Sequence, residues 1–248
     1  DSGVNPTAFG NNSASGNIYL GADSAAGASG NVDINAGSIT WAGTVNVRTT
    51  GDLSIDSGSA QSFNAAMSIP SGALVLAEVN DIRIGTAGTS GATQNSANVT
   101  VSNALSGSGN TEIYGGIVTA GANITGTGLE GSVLLKATGS IVQNASTTIR
   151  TNSGKTVIWS DSDEANGGTI TLKGAVCTAP TATTCSATAV TGGDDVIVGG
   201  GAPSASDATI PGGYASGTSA GTMETASGVM FGTTGVSGGA KIYSSGGN

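Results

Sequence analysis

The feature that most constrains this chain is the segment 131–172, in which short apolar runs alternate with polar turns. The runs are rich in Val, Ile, Leu and Thr, which suit a pleated, half-buried surface. The connecting stretches are rich in Gly, Asn, Ser and Asp, the residues that favour turns. Apolar residues do not recur at helical spacing anywhere in the segment. The pattern predicts five strands, at residues 132–135, 140–142, 148–150, 156–159 and 169–172.

Strands this short carry little apolar surface, so the chain must stack successive turns to bury any of it. Stacking of this kind is typical of a β-solenoid, and we therefore predict an all-β fold with irregular loop excursions. The separation of Ile34 from Ile55 equals that of Leu53 from Leu74. These equal spacings favour a loose period near 20, which predicts roughly ten to twelve coils. Apolar residues that alternate with polar neighbours are the predicted core residues: Ile34, Val47, Ile55, Leu135, Trp159 and Leu172.

Changes in pattern along the chain suggest four regions. Residues 1–15 contain Asn5-Pro6, which disfavours regular structure, and are interpreted as an N-terminal cover or a linker. Residues 16–201 carry the repeating strand pattern and form the predicted solenoid. Residues 202–227 show almost no alternation and are predicted to be a long loop excursion. Residues 228–248 return to the strand pattern and are predicted to form terminal solenoid coils.

The charge distribution argues against two classes of partner. The formal net charge is −9, and the seven basic residues are scattered without a run or a stripe. Nucleic acid and anionic membrane surfaces both need clustered cations, so neither is an expected partner. No apolar run approaches the length that a membrane-spanning helix needs, so no membrane insertion is expected.

Two cysteines, Cys177 and Cys185, lie in the sequence AVCTAPTATTCSA. Their closeness predicts a disulfide, with two free thiols as the alternative. A disulfide indicates an oxidising compartment, so we expect a secreted, extracellular protein. A zinc site would need two more suitable ligands nearby, and the sequence offers none there.

The chain has no histidine, which removes the most common general base and any Ser-His-Asp arrangement. Asp161, Asp163 and Glu164 place carboxylates close together in a turn and are a calcium candidate, with a solvated turn as the alternative. No other cofactor is predicted. Paired carboxylates on a solenoid face could hydrolyse glycosides, which leaves a polysaccharide-active enzyme as a minor alternative. The aromatic residues are dispersed, however, so we expect no catalytic activity.

Three stretches resemble a known family. VDINAGSITWAGTVNVRTTGDLSIDSG and ATGSIVQNASTTIRTNSGKTVIWSDSDEANGGTITL resemble the repeat region of very large filamentous-haemagglutinin-like bacterial adhesins. The succession DVIVGGG, PGGYASG, ASGVMFG and SGGAKIYSSGG is similar to the segments that follow those repeats. The resemblance implies a secreted right-handed parallel β-helix, carried to the cell surface by two-partner secretion or a related route.

These observations together predict a non-catalytic structural or adhesive segment of a large secreted bacterial surface protein. The segment would provide a stiff rod that contacts a host cell, a neighbouring cell or matrix. The alternative is a subunit of a homopolymeric extracellular filament. In that case the chain would self-associate end to end, through a contact that does not close on itself.

Overall fold

The computed structural model describes the backbone of six strands between residues 18 and 77, and then the backbone and side chains of most of the chain from residue 81 onwards. The latter part comprises residues 81–85, 98–102, 104–165, 167–179, 185, 192–215, 228–231 and 240–244, without the side chain of residue 230. Every regular element in these ranges is a strand, which confirms the predicted all-β class.

The strands are mostly three to five residues long, as expected for a chain that turns this often. In chain order they are β1 Ile18–Gly21, β2 Val32–Asn35, β3 Val45–Arg48, β4 Leu53–Asp56, β5 Met67–Ile69, β6 Leu74–Ala77, β7 Ile82–Ile84, β8 Val99–Val101, β9 Leu105–Gly107, β10 Thr111–Gly115, β11 Val118–Ala120, β12 Ile124–Leu129, β13 Val133–Ala137, β14 Ile141–Gln143, β15 Thr148–Asn152, β16 Thr156–Ser160, β17 Ile170–Leu172, β18 Ala175–Cys177, β19 Val196–Pro203, β20 Pro211–Gly213, β21 Val229–Phe231 and β22 Lys241–Tyr243. The five strands predicted within residues 131–172 are β13 to β17, with boundaries that differ by at most two residues.

The described strands form four sheets whose members come from successive turns of the chain. Sheet A has the order β2-β4-β7-β10-β13-β16-β19-β20, sheet B β5-β8-β11-β14-β17-β21, sheet C β9-β12-β15-β18-β22, and sheet D β1-β3-β6. From β7 onwards the chain passes from sheet A to B to C and back again. All pairings among these strands are parallel except that of β19 with β20. The architecture is therefore solenoid-like, with parallel sheets built from stacked coils.

The coils vary in length more than the sequence suggested. Ile34 pairs with Ile55, which confirms one of the two equal spacings. The other spacing was wrong as a repeat, because Leu53 pairs with Ile82 and Leu74 pairs with Val45. The described part of sheet A places seven parallel strands over residues 32–203. Excursions between strands make the coils unequal in length, and one of them separates Thr156 from its partner Val196.

Three columns of apolar side chains fill the interior between sheets A, B and C. Within each column the residues are in register from coil to coil, and each is at most 1% exposed. The columns are Ile84, Ile113, Leu135 and Ile158 in sheet A, Val99, Val118, Ile141 and Ile170 in sheet B, and Leu105, Ile124, Ile149 and Val176 in sheet C. Burial of such aligned apolar surface is the main favourable contribution to folding.

The predicted core residues divide into three groups. Leu135 and Leu172 are fully buried members of the interior cluster. Trp159 is also buried, but it follows the inward-facing Ile158 and therefore projects from the opposite face of its strand. The atoms that bury Trp159 therefore lie on the outer face of sheet A. The side chains of Ile34, Val47 and Ile55 lie outside the described residues.

Polar side chains at the corners add bonds between coils. Asp81 precedes β7, and its Oδ1 accepts the N–H of Asn110 at 2.6 Å. Asn110 precedes β10, and its Oδ1 accepts the N–H of Ser132 at 3.0 Å. Because each residue immediately precedes a strand of sheet A, these bonds run parallel to the backbone ladder and help to fix its register.

The interior contains a buried hydroxyl group without a hydrogen-bond partner in the described residues, that of Thr156. Its Oγ1 is buried, has no hydrogen-bond partner within the described part of the chain, and lies in register between Val133 and Val196. A buried hydroxyl without a partner costs free energy, whereas an apolar group of the same shape does not. We expect Thr156→Val to raise the free energy of unfolding by about 1 kcal/mol, measured by urea denaturation.

The matched control for this change is Thr171→Val, the same substitution on the outward-facing position of β17. It should change the stability by less than about 0.5 kcal/mol. A destabilised Thr156→Val protein would contradict the assignment of this hydroxyl to the interior.

Candidate functional site

The outer face of sheet A carries a cluster of aromatic and charged side chains. Tyr114, Lys136 and Trp159 are in register on β10, β13 and β16, and all project away from the interior. Arg83 on β7 and Glu112 on β10 lie in the neighbouring outward row. We call these five residues the outer cluster.

Glu112 is bound by two donors within the outer cluster. Arg83 Nε donates to Glu112 Oε2 at 3.1 Å, and the Tyr114 hydroxyl donates to the same oxygen at 3.0 Å. Tyr114 is only 5% exposed. Burial, and then the negative charge of Glu112, raise the pKa of Tyr114 well above its ordinary value of 10.0. The phenol therefore keeps its proton and its hydrogen bond in the folded protein at neutral pH.

Lys136 lies over the ring of Trp159, with Nζ 3.9 Å from the ring centroid. This geometry is that of a cation–π interaction. Partial burial lowers the pKa of Lys136 below its ordinary value of 10.5, because desolvation disfavours the charged form. The aromatic ring offsets part of that cost by facing the ammonium group.

Trp159 is covered by a hairpin that follows β16 in the sheet. Its Nε1–H donates to the carbonyl oxygen of Gly201 at 2.8 Å. Gly199, its in-register neighbour on β19, has no side chain, and a Cβ there would lie 2.9 Å from Pro211 Cγ. Gly201 has a φ of +76°, which L side chains rarely adopt, so the conformation of this bend favours glycine.

The tip of the same hairpin reaches the start of β16. Asp207 Oδ2 lies 4.0 Å from Lys155 Nζ, and Lys155 immediately precedes that strand. Asp207 also accepts bonds from the N–H and hydroxyl of Thr209, and these bonds lower its pKa. Residues 200–213 therefore fold back from β19 across the outer face of sheet A. We call them the strap.

The interactions of the outer cluster attach the strap to the outer face of sheet A. Trp159 is 1% exposed, with Lys136 over its ring and the strap bound to its indole N–H, so this ring is not presented for contact with a partner. The indole N–H and the surface of Trp159 instead hold the strap against the sheet.

The predicted calcium residues lie in the turn after β16. Asp161 is buried at the end of the strand, while Asp163 and Glu164 are exposed. Asp163 Oδ1 accepts the N–H of Ala165 at 3.2 Å, within the turn itself. No group of three or more potential metal-binding side chains occurs in the described ranges. The structure does not bring the three carboxylates together as a metal site.

The predicted disulfide between Cys177 and Cys185 is present, with a Cα–Cα distance of 5.8 Å. Cys177 is fully buried on the outward side of β18, in register with Arg150 and Tyr243. The bond holds Cys185 on the outer side of sheet C, next to β18. It is consistent with an oxidising environment outside the cytoplasm.

The sequence predicted an excursion over residues 202–227, but most of the outer cluster and the attachment of the strap to Trp159 were not predicted. Arg83, Glu112, Tyr114 and Lys136 are ordinary polar residues of alternating strands, and consecutive partners come from coils of different length. A signal was available for the bend at Gly201, since three consecutive glycines interrupt a strand there. Such an interruption marks a bulge or a close backbone approach.

Comparisons with protein-family models, with curated proteins and with solved structures find no match to this chain. The resemblance to filamentous-haemagglutinin-like adhesins therefore stays a prediction. Among the residues that the structure describes, no helix is long and apolar enough to cross a membrane.

The fastening of the strap can be tested at Trp159. Trp159→Phe keeps an aromatic ring but removes the donor to Gly201, and should cost about 1 kcal/mol of unfolding free energy. Trp159→Ala also removes the buried ring and should cost about 3–5 kcal/mol. Hydrogen exchange in residues 200–213 should be faster in the alanine variant. Unchanged exchange there would contradict the role of Trp159 in holding the strap.

The raised pKa of Tyr114 predicts a loss of stability at alkaline pH. Above pH 10.0, the ordinary pKa of tyrosine, the unfolded chain releases a phenol proton that the folded chain retains. Stability then falls as the pH rises, because the folded state binds more protons. The stability advantage of the wild type over Tyr114→Phe should therefore shrink above about pH 10, as measured by urea denaturation.

Lys136 acts in the opposite direction, because its lowered pKa makes stability rise with pH up to its ordinary value of 10.5. Both proteins in the comparison contain Lys136, so its contribution largely cancels. An advantage of the wild type that stays constant from neutral to strongly alkaline pH would contradict the environment described for Tyr114.

Proposed function

We propose that this chain is a non-catalytic structural segment of a secreted bacterial surface protein, where it forms a stiff rod. The observation that carries the proposal is the set of three apolar columns that continue in register through successive coils. A continuous interior couples each coil to its neighbours, as in other solenoid proteins, and resists bending. The disulfide supports a location in an oxidising, extracellular environment.

The same proposal includes the handedness of the solenoid. Connections between parallel strands of one sheet are right-handed in nearly all proteins, because twisted strands pack back onto their sheet only in that sense. The parallel order of sheets A, B and C supports a right-handed parallel β-helix. The rod would serve in contact with a host cell, a neighbouring cell or matrix.

Stretching single molecules tests the rod. A stack of coupled coils should resist force and then lengthen in steps the size of one coil, about 75 Å for the coil between Ile113 and its partner Leu135. Ile113→Asp places a charge in the interior column of sheet A and should abolish these steps. Extension of the wild type without resistance would exclude a load-bearing rod.

Adhesion is tested separately, with beads coated with the protein and applied to cultured epithelial cells and to extracellular matrix. Coated beads should attach more than beads that carry albumin at the same density. Attachment equal to that of albumin beads on every surface would limit the proposal to a spacer. Release of reducing sugar from polysaccharides would instead favour the alternative of an enzyme.

A further inference from the structure

The strap occupies the edge of sheet A at the end of β19, where β20 pairs with Gly200 and Pro203. Gly200 pairs with Ser160 of β16 on one side and with Gly213 of β20 on the other. The edge of β19 that a following parallel strand would use is therefore taken, at this point, by the antiparallel β20. The outermost described strand of sheet A is β20, which contains three residues, Pro211, Gly212 and Gly213.

The hydrogen-bond pattern shows which way Pro211 faces. Pro203 and Pro211 are opposite each other in the β19–β20 pair, and neither has an N–H to exchange. The N–H of Ser204 donates to the carbonyl of Ile210 at 2.9 Å, as expected for residues that flank a non-hydrogen-bonded pair. In such a pair the backbone nitrogens face away from the partner strand. The nitrogen of Pro211 therefore lies on the edge of β20 that no other strand pairs with in the described part of the chain, and it offers no donor there.

A short edge strand with proline on its open side is a poor template for another strand. The strap adds bulk to this effect, since Pro211 covers Gly199 and Asp207 reaches Lys155. By contrast, Phe231 and Ile242 remain exposed on β21 and β22, the last described strands of sheets B and C. A coil that stacked on this end would have to pair in sheets A, B and C together, and the obstruction lies in sheet A.

We propose that the strap is a built-in stop, which prevents a second copy of this chain from adding a parallel coil to the β19 edge of sheet A. The stop bears directly on the filament alternative, because end-to-end stacking through this edge requires release of the strap. It does not depend on the proposed rod function, which the stretching and adhesion experiments test independently.

The experiment compares the wild type with a variant in which residues 201–213 are replaced by Gly-Gly. Gly200 pairs with Gly213, the residue that precedes Tyr214, so a short linker can join Gly200 to Tyr214. Sedimentation velocity over a concentration series should show concentration-dependent association of the variant and none of the wild type. A folded variant that remains as monomeric as the wild type would overturn the proposal.

A pair of point substitutions keeps the proposal testable if the deletion does not fold. Pro211→Val restores an N–H on that edge of β20, whereas the matched control Pro203→Val restores one that faces away from β20 on the opposite side. Pro211→Val should strengthen self-association by roughly two- to tenfold relative to Pro203→Val, the effect of about one hydrogen bond. Equal association of the two variants would overturn the role of the edge proline.

Discussion

Parallel, in-register backbone pairing between successive coils is the constraint on which the rest of this structure depends. Once Thr111 pairs with Val133 and Val133 with Thr156, every second residue of these strands must enter the same interior. The apolar columns follow from that register. Each coil contributes one large side chain to each column, and in this way such short strands can build a continuous core.

The same register produces the outer cluster. Tyr114, Lys136 and Trp159 come from three different coils, and the pairing of β10, β13 and β16 places them side by side. Their order then determines the local chemistry. The ammonium group of Lys136 lies against the ring of Trp159, and the indole N–H is left to bind the strap. The alignment of the coils thus produces a specific attachment site for the strap, although the sequence contains no regular motif for it.

The sequence predicted the strands of residues 131–172 and the disulfide well, because both depend on local signals: apolar runs between turn residues, and two nearby cysteines. The sequence did not predict correctly which face of β16 carries Trp159. All five residues of β16 are buried, so alternation within TVIWS does not separate the inward from the outward face. That assignment needs the partner strands, whose register is set by coils of unequal length. The sequence predicted a loop excursion from residue 202 onwards, but the contact of the strap with Trp159 could not be predicted, since it joins residues 42 positions apart.

The most direct test of the central claim is a pair of deletions that differ by one residue. Deletion of residues 113–134 removes the whole interval that separates Ile113 from its partner Leu135, so Leu135 takes the place of Ile113 and Lys136 stays outside. Deletion of residues 113–133 removes one residue fewer and moves Leu135 to the outer face. Urea denaturation should show that the first protein is folded with a cooperative transition and that the second is severely destabilised. Equal stability of the two proteins would contradict the in-register stacking of coils.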